Sequence, residues 1–152
     1  MRVYADTSVF GGVFDDEFEE SSRKLFDQVR GHRFALVVSS LVEDEIADAP
    51  PQVEDFYLRI LPLAETLYLT PEALRLRNAY LQAGIVAPKR ATDALHVALA
   101  TVGNCDLIVS WNFRHIVHHD KISRYNAVNT LEGYLAISIH APIEVVEHEE
   151  EV

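Results

Sequence analysis

Short apolar runs with the pattern of buried strands alternate along this chain with segments that have a helical pattern. Five runs are predicted strands: Arg2–Ala5, Phe34–Val38, Leu63–Leu69, Leu107–Ser110 and, at an edge of the sheet, Ala136–Ile139. Six segments are predicted helices: Glu19–Arg30, Ser40–Ala47, Gln52–Ile60, Pro71–Ala83, Ala91–Val102 and Ser123–Leu131. Continuous apolar strands are typical of a sheet covered on both faces. The alternation predicts an α/β fold, a three-layer α/β/α sandwich with a mainly parallel central sheet of four to five strands.

Several helix boundaries carry explicit signals. Ser40-Leu41-Val42-Glu43 has the pattern of a capping box and predicts a helix start. Thr70 supplies a hydroxyl cap directly before Pro71, which favours the first turn of a helix. Gly31 and Gly103 follow the last apolar positions of two helices and are expected to end them.

The length of the chain, 152 residues, predicts a single domain over residues 1–142, followed by an acidic tail over residues 143–152. No apolar stretch is long enough to cross a bilayer, and the first residues lack the layout of a signal peptide. One cysteine, Cys105, excludes an internal disulfide. These features predict a cytoplasmic protein without a membrane segment.

The formal net charge of −11 argues against broad, nonspecific attraction to nucleic acid. The charge is unevenly distributed, because five of the 24 acidic residues lie in the last nine positions. Basic residues form local clusters at Lys89-Arg90, at Arg114-His115 and at Lys121 with Arg124. Such a chain can hold a polyanion through a metal and a few basic groups, or present an acidic face to a basic protein.

Four oxygen-bearing side chains occupy similar places in the predicted fold. Asp6 and Asn112 each follow a strand, and Glu45 and Asp93 each lie near the start of a helix. Each has an ordinary explanation alone: a turn cap for Asp6, a solvated helix face for Glu45, the helix dipole for Asp93 and a turn for Asn112. Together they are expected at the carboxyl edge of one sheet, where open α/β sheets bind ligands. Clustered carboxylates repel one another unless a cation lies between them, so the pattern predicts a site for Mg²⁺ or Mn²⁺.

The ordered set of motifs resembles the PIN domain, the nuclease fold of VapC-type toxins. The resemblance extends to about Pro142, and its matching stretches are Val3–Ser8, Ser40–Ile46, Thr92–Ala100 and Leu107–Phe113. It implies metal-dependent endoribonuclease activity, in which Asp6, Glu45 and Asp93 bind the metal. It also implies a cognate antitoxin protein as partner and a homodimer.

Other site residues follow from the same resemblance. Thr7 and Ser8 are expected to shape the site and contact the substrate, and Asn112 occupies a position that is frequently aspartate in the family. Its amide oxygen can still bind a metal water but brings no charge, so the site is expected to hold one metal more readily than two. Apart from the resemblance, Arg114, with Lys89 and Arg90 as weaker candidates, could contact RNA phosphate, although solvated loop charge explains all three at least as well.

Two rival interpretations remain open at this stage. Asp6 could be the nucleophile of a phosphatase or phosphotransferase, although Ser8 stands where the common aspartyl-phosphate design has a second aspartate. Alternatively, the domain could be a catalytically weakened PIN-like module that binds RNA or protein, which Asn112 and the acidic balance favour. Retention of Asp6, Glu45 and Asp93 argues against that module.

Three further features receive ordinary interpretations. His96, on an otherwise apolar helix, is predicted to be a partly buried packing residue rather than a base. The histidines near Asp120 lack a recognised zinc spacing and are predicted to form a polar surface turn. Trp111 and Phe113 flank Asn112 and could stack on a base, although packing is the more common use of such residues.

Overall fold

The computed structural model describes residues 1–146, and these contain one five-stranded sheet. The strands lie in the order β3-β2-β1-β4-β5, and all four pairings are parallel. Their bounds are β1 Arg2–Ala5, β2 Ala35–Ser39, β3 Glu65–Leu67, β4 Leu107–Val109 and β5 Ser138–His140. The predicted α/β class and a parallel sheet of four to five strands are confirmed.

Eight α-helices connect and cover the strands within the same residues. They are α1 Thr7–Gly12, α2 Glu19–Arg30, α3 Ser40–Ala47, α4 Pro51–Ile60, α5 Pro71–Gln82, α6 Ala91–Val102, α7 His119–Leu131 and α8 Pro142–Val145, with 3₁₀ turns at Leu61–Leu63 and Pro88–Arg90. No helix among residues 1–146 combines the length and apolar character needed to span a bilayer, and the longest, α7, has 13 residues.

The core lies on both faces of the sheet. Val3, Tyr4 and Ala5 of the central strand are fully buried, as expected for a strand covered on both sides. One group of helices packs through aromatic rings, with the Phe10 and Phe26 centroids 4.9 Å apart. The other group centres on α6, in which Ala94 to Thr101 are buried without interruption. This arrangement gives the three-layer α/β/α sandwich that the sequence predicts.

The strand order reverses direction at β1, because β2 lies on one side of it and β4 on the other. Parallel sheets of this kind open a crevice outside the carboxyl ends of the strands at such a switch point. Asp6 follows β1 directly, and its backbone N–H donates to Val109 O of β4 at 3.3 Å. The fold therefore places Asp6 at the mouth of the crevice.

Some boundaries differ from prediction for local reasons. The cap of α3 is Ser39 rather than Ser40, because Ser39 is still extended at the end of β2 and its Oγ accepts from Val42 N at 3.3 Å. The predicted strand Leu63–Leu69 shortens to Glu65–Leu67, since Pro62 supports a 3₁₀ turn before it. α7 begins at His119, four residues before the predicted start.

The first residues of the predicted acidic tail are packed against the domain. Pro142–Val145 form α8, Val146 is buried, and the Arg33 guanidinium donates to Val145 O at 2.9 Å. The remaining tail residues, 147–152, lie outside the described residues.

Candidate active site

Asp6 is a buried carboxylate held by two hydroxyl groups. Only 4% of the residue is exposed. Ser8 Oγ donates to Oδ1 at 2.5 Å, and Ser110 Oγ donates to Oδ2 at 2.6 Å. No lysine, arginine or histidine of residues 1–146 forms an ion pair with it. Within the described residues, Asp6 thus has good neutral donors but no ion-pair partner.

Burial raises the pKa of Asp6 above its ordinary value. His96 and the two serine hydroxyls act in the opposite direction, and the negative charge of Glu45 adds to the rise. A raised pKa means that the ionised form is destabilised where it stands. A divalent cation beside Asp6 would remove that destabilisation.

Glu45 lies on α3 beside Asp6, and its side chain is 36% exposed. Thr7 Oγ1 donates to Oε1 at 2.8 Å, and His96 Nε2 lies 2.6 Å from the same oxygen. Partial burial acts to raise the pKa of Glu45, but the bonds and charge of His96 and the bond from Thr7 outweigh it and lower the pKa. Glu45 is therefore ionised at neutral pH, and Oε2 accepts no hydrogen bond from residues 1–146.

A buried polar chain fixes the orientation of Glu45. His96 Nδ1 lies 2.8 Å from Tyr4 OH, which in turn lies 2.8 Å from Ser39 Oγ at the α3 cap. Burial raises the pKa of Tyr4 well above its ordinary value, so its hydroxyl stays protonated. Because the ionised Glu45 carboxylate can only accept, Nε2 of His96 carries a proton and donates to Oε1.

The packing role predicted for His96 is therefore incomplete. The residue is 3% exposed, but it bonds a candidate site carboxylate as well as packing in the core. A histidine on an apolar helix needs partners for both ring nitrogens when it is buried. Its position three residues after Asp93, on the same face of α6, is the sequence signal for this role.

Ser110 is a second site residue that sequence reasoning missed. Its Oγ donates to Asp6 and accepts from the backbone N–H of Asn112 at 2.9 Å. Ser8 makes the equivalent link, because its Oγ donates to Asp6 and accepts from Trp111 N at 2.9 Å. The pair of hydroxyls joins the end of β1 to the segment after β4.

Asp93 lies on the other side of the crevice and is partly exposed in the first turn of α6. It interacts electrostatically with His115 and Tyr125, and no hydrogen bond or ion pair within residues 1–146 holds its carboxylate. Asp93 and His96 share one face of α6. Since His96 bonds Glu45, this face connects the two sides of the site.

Asn112 caps the turn after β4. Its Oδ1 accepts from the backbone N–H of His115 at 3.0 Å. His115 has a lowered pKa because of burial, with the positive charges of Arg90, Lys121 and Arg114 adding to the effect and Asp93 opposing it. Basic groups therefore surround this side of the site, and Arg114, Lys89 and Arg90 are all exposed.

No protein-family model and no curated protein matches this sequence. Solved structures do share its fold. A chain of VapBC2 from Rickettsia felis, in a complex bound to a DNA fragment from their promoter, matches with a TM-score of 0.59 and 14% identity, covering 91% of this chain and 97% of that chain. A chain of FitAcB from Neisseria gonorrhoeae matches with a TM-score of 0.60 and 14% identity, covering 94% of this chain and 99% of that chain. This chain has a VapC-type PIN fold. At such low identity the likeness concerns the fold alone.

Within this PIN fold the carboxylates do not form a ready-made metal cage. Among residues 1–146, no group of three or more His, Cys, Asp or Glu side chains is arranged to hold an ion directly. Asp6 and Glu45 interact, but Asp93 faces the His115 side. The donors nevertheless suit Mg²⁺ or Mn²⁺, which prefer oxygen, retain several waters and need only one or two carboxylates. The raised pKa of Asp6, which forms no ion pair in the part of the chain that the structure describes, is the observation that fits a metal here.

Proposed function

We propose that this protein is a metal-dependent endoribonuclease that hydrolyses RNA phosphodiester bonds as the toxin of a toxin–antitoxin pair. The observation that carries the proposal is Asp6, a buried carboxylate that forms no ion pair within residues 1–146, at the switch point of a PIN fold. Burying a carboxylate is costly unless something compensates its charge. Stable proteins retain such groups where a ligand or a reaction uses them.

In this proposal Asp6, Glu45 and Asp93 hold Mg²⁺ or Mn²⁺, directly or through water. When bound, the ion would make water a better nucleophile and stabilise negative charge on the phosphate oxygens. Ser8 and Ser110 keep both oxygens of Asp6 in place. Thr7 and Ser8, expected near substrate, thus support the site chiefly through the two carboxylates.

Glu45 serves as the proton acceptor. It is ionised, and Oε2 is unoccupied by residues 1–146, so it can orient the attacking water and take its proton. His96 keeps Oε1 engaged and so limits the rotation of the carboxylate. Arg114, with Arg90 and Lys89, binds phosphate on the Asp93 side, and Asn112 holds the backbone of that segment.

A cognate antitoxin and a homodimer complete the proposal. Two solved structures with this fold are of VapBC2 and FitAcB, which supports a protein partner for this chain. An arginine of such a partner could bridge Asp6 and Glu45 with paired hydrogen bonds and block the site. The experiment is to express the chain alone and together with the product of any small reading frame found next to its gene, and we expect the chain alone to slow growth and co-expression to restore it.

Cleavage of a structured RNA pool tests the catalytic proposal. We expect cleavage with Mg²⁺ or Mn²⁺, none with a chelator and none from Asp6→Asn. Asp44→Asn is the matched control, because Asp44 is an exposed carboxylate on α3 next to Glu45. Cleavage that survives in Asp6→Asn, or that needs no divalent ion, would contradict the proposal.

The absence of a direct three-carboxylate cage within residues 1–146, together with the local capping role of Asn112, favours a second candidate: a weakened PIN-like binding module. That module would bind RNA or its partner protein and leave every RNA in the pool intact at saturating Mn²⁺. The same assay therefore separates the two candidates.

A further inference from the structure

Three aromatic rings form a cluster beside Asp6 that the proposed chemistry does not use. Phe18 and Trp111 stack with centroids 4.2 Å apart and planes 18° apart. Phe113 lies 6.1 Å from Trp111 and 6.4 Å from Phe18. Phe113 is 48% exposed, whereas Phe18 and Trp111 are half-buried. We call these three residues the aromatic platform.

The platform is held firmly in place. Trp111 Nε1 donates to Ser22 Oγ at 2.9 Å. A Cβ at Gly12 would come within 2.7 Å of Trp111 Nε1 and 2.5 Å of Ser22 Oγ, so only glycine at this position leaves room for the pair. Packing explains why Phe18 and Trp111 are aromatic, but it does not explain why half of Phe113 is left in water.

The platform is also directly coupled to the candidate active site. Ser8 Oγ bonds both Asp6 and the backbone N–H of Trp111, so one side chain links the backbone of a platform residue to the buried carboxylate. Exposed Arg114 follows Phe113 along the chain, and Arg90 lies on the same side of the site near His115. An aromatic surface next to positive charge is the combination that holds single-stranded nucleic acid.

We propose that Phe113, backed by Trp111 and Phe18, stacks on an unpaired base of single-stranded RNA next to the bond positioned at Asp6. This inference rests on the proposed ribonuclease function and assigns a base-stacking contact to Phe113. Stacking requires a base that is free of its own helix, so a paired strand does not fit.

The charges around the platform favour one path for the backbone of the RNA strand. Asp15, Asp16 and Glu17 are exposed just before Phe18, whereas Glu19 and Glu20 are paired with Arg23 and Lys24. The negative charges of these three carboxylates repel phosphate from that side. The backbone of the strand therefore runs past Arg114 while its base covers Phe113.

Binding can be measured without cleavage, which keeps this inference separate from the catalytic one. The probe is a 2′-O-methyl RNA strand of about ten nucleotides, titrated in the presence of a chelator. Trp111 is the single tryptophan of the chain, so its fluorescence reports on the platform directly. We expect quenching by the single strand, weaker quenching by the same strand with abasic residues, and none by its duplex.

Phe113→Leu should weaken binding of the single strand about tenfold, and Phe113→Tyr should retain it because its ring still stacks. Tyr68→Leu is the matched control, since Tyr68 is 69% exposed and follows β3, with β2 and β1 lying between it and β4. An unchanged emission spectrum of free Phe113→Leu would show that Trp111 keeps its surroundings.

The acidic segment provides an independent check. Asp16→Asn with Glu17→Gln should tighten binding of the strand, because it removes repulsion of phosphate. Equal quenching by intact and abasic strands, or equal affinity of Phe113→Leu and the wild type, would overturn the inference. Quenching by a lysine- and arginine-rich peptide alone, lost on neutralising Asp16 and Glu17, would overturn it in favour of a protein ligand.

Discussion

The two sides of the crevice are built differently around Asp6. On the β2 side, Glu45 is fixed by Thr7 and by the buried chain from His96 through Tyr4 to Ser39. On the β4 side, the Asp93 carboxylate is bonded by none of residues 1–146 and faces exposed basic groups. Within residues 1–146, one side is ordered by the protein's own hydrogen bonds, and the other leaves charged groups open to a ligand or substrate.

This difference predicts separate roles for the two sides, one in turnover and one in binding. A fixed carboxylate loses little further freedom when a reaction begins, which is how preorganised groups contribute to catalysis. Groups that face solvent can adapt to an ion, a strand of RNA or a partner protein. The β2 side is therefore expected to govern turnover, and the β4 side to govern binding.

The largest expected effect comes from Asp6, which both sides share. Asp6→Asn should lower RNA cleavage roughly a thousandfold, at the upper end for loss of one electrostatic group in an active site. The fold should survive, because Asn keeps the shape and removes a charge whose pKa burial has raised. Single-turnover cleavage and circular dichroism measure the two outcomes, and near wild-type cleavage would remove Asp6 from the chemistry.

Substitution of His96 tests the role of the β2 side. His96→Leu should lower turnover by roughly 10–100-fold with little change in KM, because Glu45 loses its orienting donor. It should also lower the free energy of unfolding by about 1–3 kcal/mol, since the buried Tyr4 hydroxyl loses a partner.

His96→Gln is the informative control for that variant. Its side-chain amide can donate toward Glu45 and should restore part of the turnover, whereas a purely packing role predicts that Leu would be the better replacement. If His96→Leu keeps full turnover, the division between the two sides fails.

Substitution of Arg114 tests the role of the β4 side, and its expected effect on RNA binding is smaller. Arg114→Ala should weaken RNA binding a few-fold at unchanged turnover and reduce the salt slope of binding by about one phosphate contact. Arg59→Ala is the matched control, because Arg59 is an exposed arginine on α4. A change in turnover alone would place Arg114 in the chemistry instead of in binding.

The smallest expected effect is a difference in how pH acts on stability. Burial raises the pKa of Asp6, so without metal its ionisation should lower stability as pH rises from its ordinary pKa through the raised one. The pKa of Glu45 is lowered, so its contribution is present above its ordinary pKa and is lost as pH falls toward the lowered one.

The two variants should therefore alter the pH dependence of the unfolding midpoint in opposite directions. Asp6→Asn should remove a decline with rising pH, and Glu45→Gln should remove an increase. Thermal unfolding in a chelator across the acidic range measures both, and parallel changes would contradict the opposite environments described here.

Much of the fold could be read from local sequence. The bounds of β1, α2, α3 and α6 agree with prediction because apolar patterns coincide with clear ends, such as Gly31 and Gly103. β3 was predicted too long, since Leu69 is apolar but exposed at the edge of the sheet. Apolar composition predicts a strand, whereas its end depends on neighbours that the sequence does not reveal.

The candidate site, like the fold, could be predicted from local sequence only in part. Strand ends and helix starts predicted that Asp6 and Glu45 would lie near each other, and the structure places them within electrostatic reach. His96 and Ser110 were missed because their roles depend on contacts with residues far along the chain, such as Ser110 with Asp6. Local patterns locate carboxylates, but they do not show which donors hold them.

The central claim is that Asp6 holds a divalent cation at the crevice. The most direct measurement is the shift in the thermal unfolding midpoint on adding Mn²⁺ or Mg²⁺ to the wild type, Asp6→Asn and Asp44→Asn, since an ion that binds the native state raises the midpoint. We expect a concentration-dependent rise in the wild type and Asp44→Asn and none in Asp6→Asn. An equal rise in all three proteins, or none in the wild type at millimolar ion, would contradict the claim.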